Sequence, residues 1–181
     1  MKQKVLIVVD MQNDFIDGSL GTKEAEAIVP AVREKVEKAA EAGALIFATM
    51  DTHGENYLET REGRFLPVTH CIKGTDGWQI RPEIRDALGE AKIVEKYSLG
   101  SNELPDVIET ALRLQNVRPE DAEIELVGLC TDICVVSNAL ILKARFPETD
   151  IKADPACCAG VTPEKHLAAL ETMRSCQIVI E

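Results

Sequence analysis

The sequence has few positively charged side chains, few aromatic rings and no long hydrophobic run. It has 20 Lys and Arg against 31 Asp and Glu, a formal net charge of -11. Nucleic acids and anionic membrane surfaces bind proteins through a surplus of Lys and Arg, so both partners are disfavoured. No apolar run reaches about eighteen residues, and the N-terminus turns acidic before a signal sequence can form. We therefore expect a soluble, cytoplasmic protein with no membrane partner.

The six cysteines lack the spacing of a disulfide framework, so free thiols are expected. A chain of 181 residues with 45% hydrophobic side chains is long enough to bury its own core. We expect a single domain over residues 1–181.

Short β-branched runs alternate along the chain with longer segments of helical spacing. KVLIVV and ALIFAT are apolar almost throughout, which is typical of strands covered on both faces. The alternation predicts an α/β fold, a three-layer α/β/α sandwich with a six-stranded parallel sheet and right-handed crossovers. The predicted strands are residues 5–9, 44–49, 92–95, 123–127, 150–153 and 177–180.

Three chemically useful side chains are found where predicted strands end. Asp10 follows the first strand, Lys96 the third, and Cys134 follows the fourth at the predicted start of a helix. Each has an ordinary alternative, as a turn cap, a solvated lysine and a small core residue respectively. In a parallel sheet, however, all three lie at the C-terminal edge, where ligands bind.

Together these groups suit nucleophilic acyl transfer. A helix N-terminus and a neighbouring ammonium favour the thiolate of Cys134. Asp10 can accept the thiol proton and later donate it to the leaving group, while Lys96 holds the two groups in register. Backbone N–H groups of the turn over residues 128–134 would face the developing oxyanion.

The segment 51–81 has little periodicity and contains two of the three histidines. A loop of this length in a compact domain is usually functional or disordered. Asp51 and His53 are two residues apart at a strand end, so both can reach one ion. His70 would complete a three-ligand site with open positions, as expected for a catalytic metal. Ordinary loop histidines are the alternative.

From VVDMQNDF through GLCTDICV to the last strand, the sequence resembles the isochorismatase-like cysteine hydrolases, in particular the nicotinamidase (pyrazinamidase) branch. The resemblance implies that Asp10, Lys96 and Cys134 form a catalytic triad. It implies a cis peptide bond between Leu129 and Cys130, with the oxyanion hole at Cys130 and Cys134. The implied reaction converts nicotinamide and water to nicotinate and ammonia through a thioester on the cysteine, and relatives are often homo-oligomers.

The same resemblance assigns a divalent ion to Asp51, His53 and His70, because HCIKGTDGW is similar to a segment of nicotinamidases. Glu62 lies near the position where some relatives have a further ligand, and its alternative is a solvated loop acid. Two imidazoles and a carboxylate suit zinc, with iron and manganese as alternatives.

The sequence departs from the nicotinamidase pattern at residues that would hold a pyridine ring. Thr52 replaces the Trp of a DWH motif, and Leu66 replaces an aromatic residue. The nearby aromatic side chains are Phe15, Phe65, Trp78 and Tyr97. We expect Phe15, Leu66 and Tyr97 to contact the substrate, a small-molecule amide.

Two other functions remain open because of these departures. The triad would also suit another amide or a carbamoyl or ureido compound. A non-catalytic metal-binding scaffold is the alternative of another class, against which the intact triad argues. His166 is interpreted as a surface or packing residue of a helix, and the vicinal cysteines Cys157 and Cys158 as small packing residues.

Overall fold

The computed structural model describes residues 2–181, and within them six parallel strands alternate with seven α-helices. The strands are β1 (Gln3–Val9), β2 (Leu45–Asp51), β3 (Lys92–Lys96), β4 (Ala122–Leu129), β5 (Asp150–Ala159) and β6 (Val179–Ile180). The helices are α1 (Asn13–Ile16), α2 (Lys23–Glu41), α3 (Arg61–Phe65), α4 (Pro82–Leu88), α5 (Leu104–Leu114), α6 (Val136–Arg145) and α7 (Pro163–Ser175). The predicted α/β fold is confirmed.

The strands lie in the order β3-β2-β1-β4-β5-β6, and every neighbouring pair is parallel. The chain order reverses between β1 and β4, and their C-terminal ends form a switch point. Ligands of open parallel sheets bind in the crevice outside such a point.

Side chains of β1 alternate between two cores, one on each face of the sheet. Val5, Ile7 and Val9 pack with α5, α6 and α7, whereas Leu6 and Val8 pack with α1, α2 and α4. The sheet is therefore the middle layer of the predicted sandwich. Within residues 2–181 no helix has the length and apolar character needed to cross a membrane.

The fifth strand is longer than its apolar run indicates, because it continues to residue 159 instead of ending at 153. Pro155 resembles a strand end in the sequence, but the ladder with β4 is irregular here. A proline, which has no N–H, is tolerated at such an irregularity. Cys157 and Cys158 belong to different cores, as alternation along a strand requires. Their burial agrees with the packing role expected of both.

Candidate active site and metal centre

The C-terminal edge of the sheet brings together four of the side chains singled out in the sequence. Asp51 ends β2 and pairs in register with Lys96, the last residue of β3. Asp10 follows β1, and Cys134 lies in a π-helical turn, Thr131–Val135, between β4 and α6. None of the four is more than 5% exposed. Their interactions with one another therefore occur out of water.

Lys96 contacts each of the other three groups. Its Nζ lies 2.8 Å from Asp10 Oδ2, 2.9 Å from Asp51 Oδ1 and 3.4 Å from Cys134 Sγ. Burial alone would lower the pKa of Lys96, but the adjacent acids raise it above its ordinary value. The ammonium is charged, and it can balance negative charge that moves between the carboxylates and the sulfur.

Asp10 has one oxygen that is free to accept a proton. Thr49 Oγ1 donates a hydrogen bond of 2.6 Å to Asp10 Oδ1. Oδ2 faces the ammonium of Lys96, yet it accepts no hydrogen bond of good geometry from any described residue. Burial raises the pKa of Asp10, and Lys96 only partly opposes this effect. Both features suit a general base.

The expectation that a helix N-terminus and the ammonium of Lys96 favour the thiolate of Cys134 omits the effect of burial, which opposes it. Burial, and then the carboxylate of Asp10, raise the pKa of Cys134 well above its ordinary value, and Lys96 does not offset them. A raised pKa favours the thiol over the thiolate, so the sulfur benefits from a neighbouring base that takes its proton.

The turn that contains Cys134 begins directly after β4. The Leu129–Cys130 peptide bond is cis, as the resemblance implies. Gly128 has a φ of 114°, and a Cβ at this position would collide with the carbonyl oxygen of Val9. Glycine therefore allows β4 to approach β1 where the turn starts, which positions Cys130 and Cys134 at the wall of one cavity.

Asp51, His53, Glu62 and His70 form a cluster whose candidate ligand atoms all lie within 4.8 Å of one another. Asp51 Oδ2 is 2.9 Å from His53 Nε2 and 3.6 Å from His70 Nε2. Glu62 Oε1 is 3.8 Å from His53 Nε2. The short helix α3 brings Glu62 to the cluster, because the hydroxyl of Thr60 caps its first turn. The structure thus brings together all four residues that the sequence proposes as ligands.

This donor set fits a divalent ion. A four-coordinate divalent ion with bonds of about 2.1 Å holds its ligand atoms about 3.4 Å apart. Three separations in the cluster, 2.9, 3.6 and 3.8 Å, lie near that value. His70 Nδ1 lies 2.8 Å from the carbonyl oxygen of Val68, which leaves Nε2 to face the cluster. Burial opposes ionisation of Asp51, but hydrogen bonds from His53 and His70 keep its pKa well below the usual range. Burial likewise opposes protonation of His70, but Asp51 raises its pKa, so an ion would displace a proton here.

A cavity of about 1020 Å³ opens beside these groups. Cys134, His70, Phe15 and Leu66 all line it. Tyr97 does not line it, and its hydroxyl donates instead to Glu95. The expected contact of Tyr97 with substrate is therefore wrong. Successive side chains of a strand point in opposite directions, and Lys96 takes the inward position.

Two polar residues that the sequence analysis gave no role at the site support its framework. Gln12 Nε2 donates to the carbonyl oxygen of Asp51 at 2.8 Å, and Gln12 Oε1 accepts from its backbone N–H at 2.7 Å. An amide within the VDMQNDF motif was the available signal. His166 Nδ1 lies 2.8 Å from Thr131 Oγ1, which links α7 to the nucleophile turn. No local pattern indicates this contact, and the expected packing role of His166 was incomplete.

Comparison with known proteins extends the likeness to the whole chain. A family model described as the Isochorismatase domain matches residues 4–181. The nicotinamidase/pyrazinamidase of Mycobacterium tuberculosis is 30% identical over 182 residues, which cover 97% of this chain and 96% of that protein.

Solved structures with the same fold include enzymes with two different activities. The pyrazinamidase of Pyrococcus horikoshii in complex with zinc is 30% identical, with a TM-score of 0.80 over 99% of this chain and 98% of that one. The N-carbamoylsarcosine amidase from Thermoplasma acidophilum is 27% identical, with a TM-score of 0.79 over 99% of this chain and 95% of that one.

Proposed function

The chain belongs to the isochorismatase family, and we propose that it is a metal-dependent cysteine amidohydrolase that converts nicotinamide and water to nicotinate and ammonia. Its family and relatives make it a hydrolase of amide C–N bonds. One observation carries the finer proposal. Lys96 Nζ contacts both the carboxylate of Asp10 and the thiol of Cys134, beside a cluster of four metal-type ligands.

The acylation step follows from the free oxygen of Asp10. Asp10 Oδ2 accepts the thiol proton of Cys134 as the sulfur attacks the carboxamide carbon. Negative charge moves from the sulfur to the carbonyl oxygen, where the backbone N–H groups of Cys130 and Cys134 would receive it. The C–N bond then breaks, Asp10 gives its proton to the nitrogen, and ammonia leaves a thioester on Cys134.

Hydrolysis of the thioester uses the same residues in the same order. Asp10 accepts a proton from water as the water oxygen attacks the thioester carbon. The C–S bond breaks, the acid product leaves, and Asp10 returns the proton to Cys134. Lys96 stays charged throughout and stabilises whichever neighbour is negative.

Asp51, His53, Glu62 and His70 would hold a divalent ion, and we propose zinc over iron or manganese. When bound, the ion supplies a Lewis acid to which a pyridine nitrogen can bind, which would orient the carboxamide. The zinc complex of the Pyrococcus pyrazinamidase supports this choice. Cytoplasmic location and homo-oligomeric assembly remain part of the proposal, and fractionation and size-exclusion chromatography test them.

Ammonia release from nicotinamide tests the proposed reaction. Purified protein is assayed after chelation and after reloading with zinc, beside Cys134→Ala and a matched Cys176→Ala control outside the cavity. We expect zinc-dependent release that falls at least about 10³-fold in Cys134→Ala and persists in Cys176→Ala. Cys134→Ala should keep its zinc content. Near-normal turnover by Cys134→Ala would contradict the assignment of the nucleophile.

A second candidate is an amidase of a carbamoyl or ureido compound with the same residues. Leu66 lines the cavity where nicotinamidases have an aromatic residue, and Thr52 is buried and accepts a hydrogen bond of 2.9 Å from Trp78 Nε1. The aromatic residues that line the cavity are thus reduced to Phe15 and the exposed Phe65. Likeness to the carbamoylsarcosine amidase supports this alternative. Hydrolysis of N-carbamoylsarcosine in preference to nicotinamide would favour it.

A further inference from the structure

We propose that the cavity takes amides longer than nicotinamide, with a carboxylate or a similar anionic group at the end remote from the carboxamide. This inference rests on the proposed amidohydrolase function and names the class of substrate. It is carried by the size, the lining and the charge of the cavity.

The cavity is larger than nicotinamide requires. Its volume is about 1020 Å³, whereas sites that enclose drug-sized molecules measure roughly 300–1,000 Å³. Nicotinamide is a single pyridine ring with one carboxamide, and it would fill only part of this space. A longer substrate would cover apolar wall that the ring leaves in contact with water.

Much of the remaining wall of the cavity is apolar. It includes Leu20, Phe65, Leu66, Leu99, Ile133 and Val161. Phe65 is 93% exposed and Leu99 is 48% exposed, so both have free surface to cover a bound chain. The lining therefore fits an apolar stretch between the carboxamide and the far end of the substrate.

Three cations line the same cavity, namely Arg61 and Arg64 of α3 and Lys165 of α7. In the part of the chain that the structure describes, none has a carboxylate oxygen within 4.0 Å of its charged nitrogens. Unpaired cations also occur elsewhere among the described residues, Arg113 among them, so the relevant observation is that three of them line one cavity. Three unpaired cations at one opening indicate that the charge is available to a ligand.

The acidic residues of the lining do not cancel this charge. Asp51 and Glu62 belong to the metal-type cluster, where an ion would balance them. Asp132, whose Oδ1 accepts a hydrogen bond of 2.9 Å from the backbone N–H of Val161, keeps its charge but lies more than 4.0 Å from the charged nitrogens of all three cations. Arg61, Arg64 and Lys165 are thus free to attract an anion. The substrate would have its carboxamide at the sulfur and its anion at the opening.

Matched pairs of amides test this inference. Suberamate and octanamide have the same chain length, and only the first ends in a carboxylate. A second pair consists of nicotinamides with an alkoxy chain at ring carbon 6, ending in a carboxylate or in methyl. We measure kcat/KM on zinc-loaded wild type and on Arg64→Ala/Lys165→Ala. The control is Arg113→Ala, an exposed arginine outside the cavity with no ion pair among the described residues.

We expect wild type to prefer the acidic member of at least one pair by about fivefold or more at low salt. The preference should shrink as salt rises, fall toward unity in the double variant through KM, and persist in Arg113→Ala. The inference is overturned if both acidic amides are cleaved no faster than their neutral partners. It is also overturned if none of the four long amides is cleaved. Nicotinamide in the same assay separates this inference from the proposed amidohydrolase function. If nicotinamide is cleaved and the long amides are not, only the inference about long anionic substrates fails. If nicotinamide and all four long amides resist cleavage, both proposals fail.

Discussion

Replacing Lys96 with Met tests whether its ammonium offsets the free-energy cost of burying two carboxylates. Asp10 is 0% exposed and Asp51 is 4% exposed, and both face Lys96 Nζ within 2.9 Å. Methionine has a similar length and no charge. Removing one partner of a buried ion pair costs about 3–5 kcal/mol, because the other charge is left uncompensated. For a protein of this size that is a fall in Tm of roughly 6–20 °C.

Urea and thermal unfolding of chelated protein measure this loss without an ion to neutralise Asp51. Lys96→Met combined with Asp10→Asn removes one of the two uncompensated charges, so we expect it to recover at least about 1.5 kcal/mol of the free energy of unfolding. Lys92→Met, at an exposed position of the same strand, is the matched control. A loss below about 1 kcal/mol in Lys96→Met, or no recovery in the double variant, would refute the reasoning.

Three further predictions concern the metal ligands, the turn and α7. His53→Ala should weaken zinc binding at least about tenfold by calorimetric titration, and unchanged affinity would exclude His53 as a ligand. Gly128→Ala should cost more than about 2 kcal/mol in urea unfolding, because its Cβ meets a β1 carbonyl oxygen. Gly74→Ala, with positive φ and open space, should cost about half as much, and equal costs would contradict the clash. His166→Leu should lower kcat about fivefold. His166→Gln can still form a hydrogen bond to Thr131 and should keep most of the wild-type kcat. Equal kcat values for the two variants would rule out a positioning role for His166.

The sequence was sufficient to predict which strands end at the site. Asp10 follows the apolar run KVLIVV, which is typical of a buried strand, and Lys96 follows the short predicted strand over residues 92–95. Parallel strands share one C-terminal edge. The convergence of Cys134 with them is therefore a consequence of topology. The choice of Cys134 over Cys130 was not, because spacing treats the two alike and only the family resemblance separated them.

Other features depend on contacts that no local pattern records. The high pKa of Cys134 follows from burial beside Asp10, whereas the sequence shows only a cysteine near a helix. The sequence analysis expected Tyr97 at the substrate because it is one of few aromatic residues near the site. Lys96 points into the site, so the next side chain, Tyr97, points away from it. His166 reaches Thr131 only once α7 has packed against the turn. Tertiary packing decides each of these cases.

One carboxylate belongs to two parts of the site at once. Asp51 Oδ1 faces the ammonium of Lys96, while Asp51 Oδ2 faces the imidazoles of His53 and His70. An ion held by the imidazoles would compete with Lys96 for this negative charge, and Lys96 would then compensate the sulfur of Cys134 more fully. Ion binding and thiol ionisation are thereby thermodynamically linked, and such linkage is reciprocal. The factor by which a bound ion increases the acidity constant of the thiol equals the factor by which the thiolate increases the affinity for the ion. A thiol titration with and without the ion therefore also measures the change in ion affinity.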